Sequence, residues 1–185
     1  MKLEDKILEL RQKEKSDWHS AKTGVYHASQ VNDLITSIVT PNNFYKTPNF
    51  SKTTLLTFEI GRMYHDYIQN LFPEAEKEKK IEVKVKDFKI VGRVDLILNN
   101  VPIELKTCST LPKKHYLAHE TQLQCYLEGL NKDFGFITYI EKNPRVFVTK
   151  NYKIYRDKKL FQTICDKLEI FHEKLRELEP KVGTK

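Results

Sequence analysis

The sequence predicts an α/β (or α+β) fold in which a mixed central sheet is flanked by helices. Apolar residues recur at helical spacing in five segments, whereas residues 81–106 alternate with a period of two. The chain has 185 residues, and 39% of them are hydrophobic, which suffices for one domain with a buried core. We therefore expect a single domain with a helical N-terminal part (1–52), a core (53–150) and a C-terminal helix (151–185).

The predicted helices are largely amphipathic, and two of them are stopped by a proline. Pro73 follows a long, mostly apolar segment and Pro180 follows the last one, and proline cannot continue a helix. Residues 41–52 contain two prolines and three asparagines, so we expect a loop there. The predicted helices cover residues 2–15, 28–38, 53–72, 117–130 and 155–178.

Strand patterning begins at residue 81, after a charged run at 74–80 that we expect to be solvated. Residues 81–86 alternate strictly between apolar and charged side chains, which indicates a half-buried strand. Asn99 and Asn100 separate two apolar runs, and because asparagine tolerates positive φ they predict a tight turn. The predicted strands cover residues 81–86, 89–98, 101–106, 135–140 and 145–150.

The chain is basic, with 32 Lys and Arg residues against 25 Asp and Glu residues and a net charge of +7. Residues 81–160 carry 15 basic and nine acidic side chains, so most of the excess lies in that segment. A polyanionic partner such as DNA is therefore expected. No apolar run approaches the ~20 residues of a membrane helix, and residues 1–15 resemble neither a signal segment nor a transit peptide. We expect a cytoplasmic protein without a membrane partner.

Two carboxylates and a lysine lie in the second and third predicted strands. Glu104 and Lys106 are two residues apart and therefore point to the same face of a strand. A turn centred on residues 99 and 100 places Asp95 opposite Glu104. Opposed carboxylates repel unless a cation lies between them, and hard divalent ions such as Mg²⁺ take carboxylate oxygens as ligands. Lys106 would then stand beside the metal, placed to orient or deprotonate a water and to hold a phosphate oxygen.

The flanking helices add further polar candidates. Gly61 and His65 lie four residues apart on one helix face, and Gln122 and Tyr126 do so on another. His65 is a candidate third metal ligand. Each motif also has a structural interpretation: an exposed Glu–Lys pair on a strand, a histidine satisfied within the fold, or a polar helix edge with a half-buried tyrosine. Spacing alone leaves both interpretations open.

The order of these motifs resembles that of the PD-(D/E)xK nuclease superfamily and, within it, the RecB-like and Cas4-like branch. The motifs read GxxxH (Gly61 to His65), GxxD (Gly92 to Asp95), ExK (Glu104 to Lys106) and QxxxY (Gln122 to Tyr126). The resemblance spans roughly residues 25–140 and includes a helix start around Ser29. It implies the restriction-endonuclease-like αβββαβ core of that superfamily.

The resemblance also implies an activity and a role for each motif residue. The activity would be metal-dependent hydrolysis of phosphodiester bonds, usually in exonucleolytic processing of DNA during recombination, repair or phage DNA processing. Lys106 would be the catalytic lysine, supported by Gln122 and Tyr126. The ligands of Mg²⁺ or Mn²⁺ would be His65, Asp95, Glu104 and the carbonyl of Leu105.

The cysteines depart from part of this branch. Cas4 and several relatives carry an iron–sulfur cluster on four cysteines, whereas this chain contains only Cys108, Cys125 and Cys165. Four thiolates are the usual requirement for such a cluster, so we expect none, and the resemblance is to cluster-free RecB-like exonucleases. The cysteine spacing fits neither a disulfide framework nor a zinc site, so small semi-buried thiols are expected.

DNA contacts are expected from basic side chains on phosphates and from an aromatic side chain on a base. A solvated basic surface is the alternative for these residues. The candidates are Arg93, Lys113, Lys114, His115, Lys46, Lys52 and Tyr45. The whole pattern predicts a Mg²⁺- or Mn²⁺-dependent exonuclease on single-stranded DNA or DNA ends. The alternatives are a non-catalytic nucleic-acid-binding subunit that kept the nuclease fold and a restriction-type endonuclease.

Overall fold

A computed structural model describes residues 22–46, 50–143 and 145–178, so the helix predicted at residues 2–15 lies outside the described residues. We number the described strands and helices in chain order. They are β1 (Val25–His27), α1 (Ala28–Ile35), a 3₁₀ turn (Pro41–Asn43), α2 (Lys52–Leu71), β2 (Glu76–Val85), β3 (Phe88–Leu98), β4 (Val101–Cys108), α3 (Leu117–Leu130), β5 (Phe134–Glu141), β6 (Thr149–Tyr155) and α4 (Lys158–Leu178).

The strands form one mixed sheet built around β3. β2 and β4 run antiparallel to β3, β5 runs parallel to β4, and β6 runs antiparallel to β5. The short β1 pairs in parallel with the end of β3 that β4 leaves free. Asn99 and Asn100 have φ angles of 49° and 68°, which confirms the predicted tight turn between β3 and β4. The predicted α/β class with a mixed sheet is confirmed.

Helices cover both faces of this sheet. α1, α3 and α4 pack on one face, where Val31, Leu123 and Leu168 belong to the main core. α2 packs on the other face, where Ile68 meets Leu105. Because successive residues of a strand point to opposite faces, the residues on either side of Leu105 face α3. Within the described residues, no helix is both long enough and apolar enough to span a bilayer.

The charged run at 74–80 is largely exposed, as expected, but it forms a strand that was not predicted there. Most of the run belongs to β2, whose backbone pairs with β3 from Glu76 opposite Ile97 to Val85 opposite Phe88. β2 lies at an edge of the sheet, where a charged strand bonds its main chain to one neighbour while its side chains stay in water. Ile81 is the one buried residue of β2.

Two helix boundaries differ from the prediction. α1 ends at Ile35 rather than at residue 38. α4 begins at Lys158 rather than at residue 155, because Asp157 caps it. The Oδ1 atom of Asp157 accepts hydrogen bonds from the backbone N–H groups of Lys159 and Leu160 at 2.9 and 3.0 Å.

Two strands also differ from the prediction. β6 spans Thr149–Tyr155 rather than 145–150, and it pairs Tyr155 with Phe134 at the start of β5. Its basic, polar sequence does not alternate as a half-buried strand would, since Ile154 is its one buried residue. β1 was not predicted, because three residues are too few to show a period of two.

A buried glutamine holds the junction between β6 and α4 against α3. Gln124 is only 1% exposed. Its Nε2 donates to the carbonyl of Tyr155 at 2.9 Å, and its Oε1 accepts from the backbone N–H of Asp157 at 2.9 Å. Both backbone groups lie where the chain leaves the sheet and enters α4. The Gln124 side chain supplies the hydrogen bonds that a neighbouring strand or the helix would otherwise provide.

We expect Gln124→Leu to lower the free energy of unfolding by about 1–2 kcal/mol, because it leaves two backbone groups without partners at a partly buried junction. Gln162→Leu is the matched control on the exposed face of α4, where Gln162 bonds only Asp166, and should stay within about 0.5 kcal/mol of the parent. Urea denaturation measures both variants. Equal effects would show that the junction does not depend on Gln124.

Candidate active site

The pairing of β3 is interrupted at Asp95 on both edges of the strand. The ladder between β3 and β4 stops at Leu96, and the ladder between β2 and β3 omits the pair formed by Glu78 and Asp95. Asp95 uses other partners: its Oδ2 accepts from the backbone N–H of Leu105 at 2.7 Å, and its carbonyl accepts from Gln69 Nε2 at 2.9 Å. The carboxylate is thereby fixed in the gap between β3 and β4.

Glu104 and Lys106 lie on the face of β4 that α3 covers, and Gln122 joins them. Lys106 Nζ lies 2.8 Å from Glu104 Oε1 and donates to Gln122 Oε1 at 2.8 Å. Gln122 Nε2 donates to Glu104 Oε1 at 2.8 Å and to the Tyr126 hydroxyl at 2.7 Å. The structure therefore brings four of the predicted site residues into one hydrogen-bonded chain. Gln122 and Tyr126 are buried rather than at an exposed helix edge.

The Glu104 carboxylate is only partly satisfied. Its side chain is 2% exposed, and its Oε2 atom has no hydrogen-bond partner among the described residues. Burial and then the charge of Asp95 raise the pKa of Glu104 to about 7, against the smaller opposite effect of Lys106. A buried carboxylate in this state is electrostatically costly, and either a proton or an additional cation would lower that cost.

His65 reaches the same region from α2. Its Nδ1 lies 3.7 Å from Asp95 Oδ1. Burial acts to lower the pKa of His65, but the hydrogen bond and charge of Asp95, with the charge of Glu104, outweigh it and the pKa is raised. Among the described residues no three His, Cys, Asp or Glu side chains form a ready-made ligand set. The Glu104 carboxylate is directed at Lys106 instead. The predicted ligand side chains therefore lie near one another without surrounding a common point.

Two motif glycines allow the close approach of helices to this site. A Cβ atom at Gly92 would lie 2.7 Å from Tyr126 Cε1, which is closer than real contacts allow. A Cβ atom at Gly61 would lie 3.0 Å from Thr107 Oγ1. Gly92 therefore lets the Tyr126 ring approach β3 closely, and Gly61 lets α2 approach β4.

Sequence reasoning missed two residues beneath Asp95. The buried Gln69 donates from Nε2 to Glu78 Oε1 and to the Asp95 carbonyl, each at 2.9 Å. Glu78 has a φ angle of 51°, a strained value for a residue with a side chain. Gln69 lies four residues after His65 on α2, so helical spacing from the histidine was the signal that could have found it.

A groove of about 550 Å³ opens beside these residues. Its walls include Asp95 and Gln122, the cationic side chains of Lys80 and Arg93, and Ser29 at the start of α1. Arg93, a predicted DNA contact, is therefore placed at the site, although its Nη1 also lies 3.7 Å from a carboxylate oxygen on β2. The volume lies within the range of about 300–1,000 Å³ that is typical of ligand sites.

Three other candidate DNA contacts lie in the loop between β4 and α3. Lys113 and Lys114 are exposed there, and Lys150 Nζ donates to the carbonyl of Lys113 at 3.4 Å. His115 is half-buried, with its Nε2 2.8 Å from Glu120 Oε2. The lysines remain accessible to a phosphate backbone, whereas His115 is already paired. Their role as DNA contacts stays a prediction.

The remaining candidates lie elsewhere on the surface. Tyr45 and Lys46 are exposed and follow the 3₁₀ turn. The adjacent Phe44 packs on Phe171, with ring centroids 5.7 Å apart, so these two candidates lie beside α4. Lys52 is exposed as the first residue of α2. Their role in DNA binding is also still a prediction.

The three cysteines are free thiols on separate elements. Cys108 ends β4 and is partly buried, with its Sγ 3.6 Å from the carbonyl of Ile140. Cys125 in α3 and Cys165 in α4 are buried. Burial raises the pKa of all three thiols, so each stays protonated and poorly suited to ligate a metal at neutral pH.

No family model matches the chain, but solved structures resemble it. A protein named SSO0001 superposes with a TM-score of 0.69 at 20% identity, covering 96% of this chain and 88% of that chain. LHK-Exo in complex with dAMP gives 0.61 at 14% identity, covering 88% and 93%. A phage-related exonuclease from Haemophilus somnus 129PT gives 0.59 at 12% identity, covering 82% and 95%. LHK-Exo is described as an alkaline exonuclease from Laribacter hongkongensis.

At these identities the likeness shows the fold alone. The mixed six-stranded sheet with helices on both faces is a restriction-endonuclease-like fold, as the resemblance of the motifs implied. The three superpositions each cover more than four fifths of both chains, so they extend over most of the fold.

We expect the stability of the chelator-treated protein to fall as pH rises from about 4.5 to about 7. The folded state holds the Glu104 proton up to about pH 7, whereas the unfolded chain releases it near 4.5, so the folded state binds more protons within this window. Glu104→Gln should flatten that part of the profile, because glutamine does not titrate. Urea midpoints at a series of pH values test this.

Glu74→Gln is the matched control for this profile, since Glu74 is exposed in the turn between α2 and β2. It should keep the slope of the parent. His65, whose pKa is raised from its ordinary value of 6.5, also makes stability fall with pH above 6.5. This contribution is expected in the parent and in both variants. A parental slope in Glu104→Gln would contradict the assignment.

We expect Gly92→Ala to destabilise the protein by about 1–3 kcal/mol, because the added methyl group overlaps the ring of Tyr126. In a Tyr126→Ala background the closest overlap is gone and the 3.2 Å contact with Ala28 Cβ remains, so the same substitution should cost less. A double-mutant cycle on the free energy of unfolding measures the difference. An equal cost in both backgrounds would show that Tyr126 is not what requires glycine here.

Proposed function

We propose that this chain is a metal-dependent DNA nuclease that hydrolyses phosphodiester bonds, as cluster-free RecB-like members of the PD-(D/E)xK superfamily do. The observation that carries the proposal is the buried carboxylate of Glu104. One of its oxygens is held by Lys106 and Gln122 and the other has no partner in the described residues, beside Asp95. A buried carboxylate oxygen without a partner is rarely kept in a purely structural core, and functional sites are where such atoms are found.

The donor atoms at the gap between β3 and β4 suit Mg²⁺ or Mn²⁺. Asp95 and Glu104 offer carboxylate oxygens, Leu105 offers a backbone carbonyl, and His65 offers an imidazole nitrogen. Hard divalent ions prefer oxygen, and the unpartnered Oε2 of Glu104 supplies one that no described group uses. When bound, the ion would polarise the phosphodiester and lower the pKa of a water.

Lys106 is placed to act as a hydrogen-bond donor to the phosphate. An ammonium group has three N–H groups and no acceptor, and two of them point at Glu104 Oε1 and Gln122 Oε1. The third is left for a phosphate oxygen or an attacking water. The positive charge offsets the negative charge that develops on the phosphate. Gln122 and Tyr126 hold the ammonium in place and are positioning residues.

We infer that the substrate is single-stranded DNA or a DNA end. The groove beside Asp95 has the volume of a site for a small ligand. Its walls carry the cationic side chains of Lys80 and Arg93, which can contact phosphates, together with the carboxylates of Glu78, Glu82 and Asp95, so a bound cation would be needed to balance a polyanion there. Two of the structures that share this fold are exonucleases, and one of those was crystallised with dAMP. These likenesses support exonuclease activity.

We further propose that the enzyme needs no iron–sulfur cluster. The chain has three cysteines, one fewer than the usual ligand set. They are distributed over β4, α3 and α4, and their burial favours the thiol rather than the thiolate. The divalent ion would then be the enzyme's inorganic cofactor.

We expect Lys106→Ala and Asp95→Asn each to slow Mg²⁺-dependent degradation of labelled single-stranded DNA by about 10²–10³-fold, because each removes charge from the reacting phosphate or its metal. Lys167→Ala, on the exposed face of α4, is the matched control and should keep the parental rate. Time courses on 5′- and 3′-labelled strands, with Mg²⁺, with Mn²⁺ and with chelator, measure the rate and polarity. Mg²⁺ should raise the melting temperature of Lys106→Ala but not of Asp95→Asn.

Other outcomes would decide between the alternatives. Parental rates in both variants would contradict the assignment of the site. Salt-sensitive DNA binding without cleavage under either metal would identify a non-catalytic subunit. Cleavage of closed circular DNA would identify a restriction-type endonuclease, since an end-dependent enzyme cannot act on it.

A further inference from the structure

His119 lies beside Lys106 and has no role in the motifs described above. It precedes Gln122 by three residues, so both side chains lie on one side of α3. Its Nδ1 is 2.7 Å from the hydroxyl of Tyr139, and its ring lies 5.5 Å from the Tyr139 ring. Tyr139 is the direct neighbour of Lys106 in the register of β4 and β5. Two independent elements, α3 and β5, therefore place His119 next to the lysine.

The hydrogen bonds of Tyr139 determine which nitrogen of His119 carries a proton. The Tyr139 hydroxyl accepts from the backbone N–H of Tyr116 at 3.0 Å. Tyr139 is only 1% exposed, so its own hydroxyl proton needs a protein acceptor. His119 Nδ1 is the acceptor within reach, and a nitrogen that accepts carries no proton. The proton of the neutral ring is consequently on Nε2.

His119 is also held in its neutral form. Burial, and then the charge of Lys106, lowers the pKa of His119 to about 4. At neutral pH the ring thus presents one N–H group without a net charge. No described residue accepts a hydrogen bond from His119 Nε2, although the side chain is only half-buried. This donor is oriented by Tyr139 and is available to a ligand.

We propose that His119 Nε2–H donates a hydrogen bond to a phosphate oxygen of the nucleic acid, on the same phosphate group that Lys106 contacts. The inference rests on the proposed nuclease function. An uncharged donor adds a second, directional contact beside the ammonium without a second positive charge to repel it. His119 is then a substrate-binding residue of the site, and Tyr139 is a positioning residue that sets its tautomer.

The proposal predicts a specific order among substitutions at His119. His119→Ala should lower kcat/KM by about 10- to 100-fold, the effect of one hydrogen bond to a charged group. His119→Gln places an amide N–H near the position of Nε2 and should recover most of that loss. His119→Asn reaches only the position of Nδ1 and should not. Glu128→Gln, at the other end of α3, is the control and should match the parent.

Tyr139→Phe separates positioning from contact. The substitution removes the hydroxyl that donates to His119 Nδ1 and so sets the tautomer. Introduced alone it should lower kcat/KM, and added to His119→Ala it should have no further effect. Melting temperatures of every variant accompany the kinetics. If His119→Gln and His119→Asn lose activity equally, or if losses follow the melting temperature, His119 is structural and the proposal is wrong.

A binding measurement keeps the inference distinct from the proposed function. Affinity for a phosphorothioate oligonucleotide, which resists cleavage, is measured in parent, His119→Ala and His119→Gln with Mg²⁺ present. If the parent binds but does not cleave, the nuclease proposal fails while a selective loss in His119→Ala still supports the phosphate contact. If the parent cleaves and His119→Ala matches it in both cleavage and affinity, the phosphate contact alone is refuted. A parent that neither binds nor cleaves refutes both.

Discussion

Burying the Glu104 carboxylate between β4 and α3 costs free energy that the neighbouring side chains offset only in part. Lys106 and Gln122 both bond the same oxygen, Oε1, and leave Oε2 without a partner in the described residues. Asp95 adds a second negative charge nearby. Together, α3 and β3 hold the buried Glu104 carboxylate near Asp95, which lines the groove. The remaining imbalance is what a divalent cation would correct.

The interruption of β3 is the structural counterpart of this electrostatic constraint. A regular ladder through Asp95 would engage its backbone on both edges, as it does for Leu96. Instead, the Asp95 side chain takes the N–H of Leu105, and Gln69 takes the Asp95 carbonyl. The Asp95 carbonyl and the Leu105 N–H therefore have side-chain partners in place of ladder bonds across the gap between β3 and β4. Glu78 bears the strain, with its positive φ.

Local sequence patterns predicted the helices and strands whose apolar side chains recur with a clear period. They failed for strands that are defined by backbone pairing with a neighbour and have no such side-chain pattern. The turn at Asn99 and the face shared by Glu104 and Lys106 follow from backbone preferences that are visible in the sequence. The start of β2 does not, because an edge strand needs no apolar side chains to be paired. The contact of Gln69 with Asp95 and that of His119 with Tyr139 were not predicted for another reason: the partners are distant in the chain, and the folded sheet brings them together.

Gln122 connects these parts, and its amide has only one orientation that satisfies them. Its nitrogen has two protons, which go to Glu104 and Tyr126, and its oxygen receives a proton from Lys106. Rotating the amide by 180° would place its NH₂ group against the ammonium of Lys106 and its oxygen against the Glu104 carboxylate. Both contacts would then be repulsive, so the identity of the residue as an amide, and not merely as a polar group, is required. A carboxylate at this position would repel Glu104, and a leucine would leave Lys106 with a single protein partner. The lysine is therefore positioned by the helix as much as by the strand that carries it.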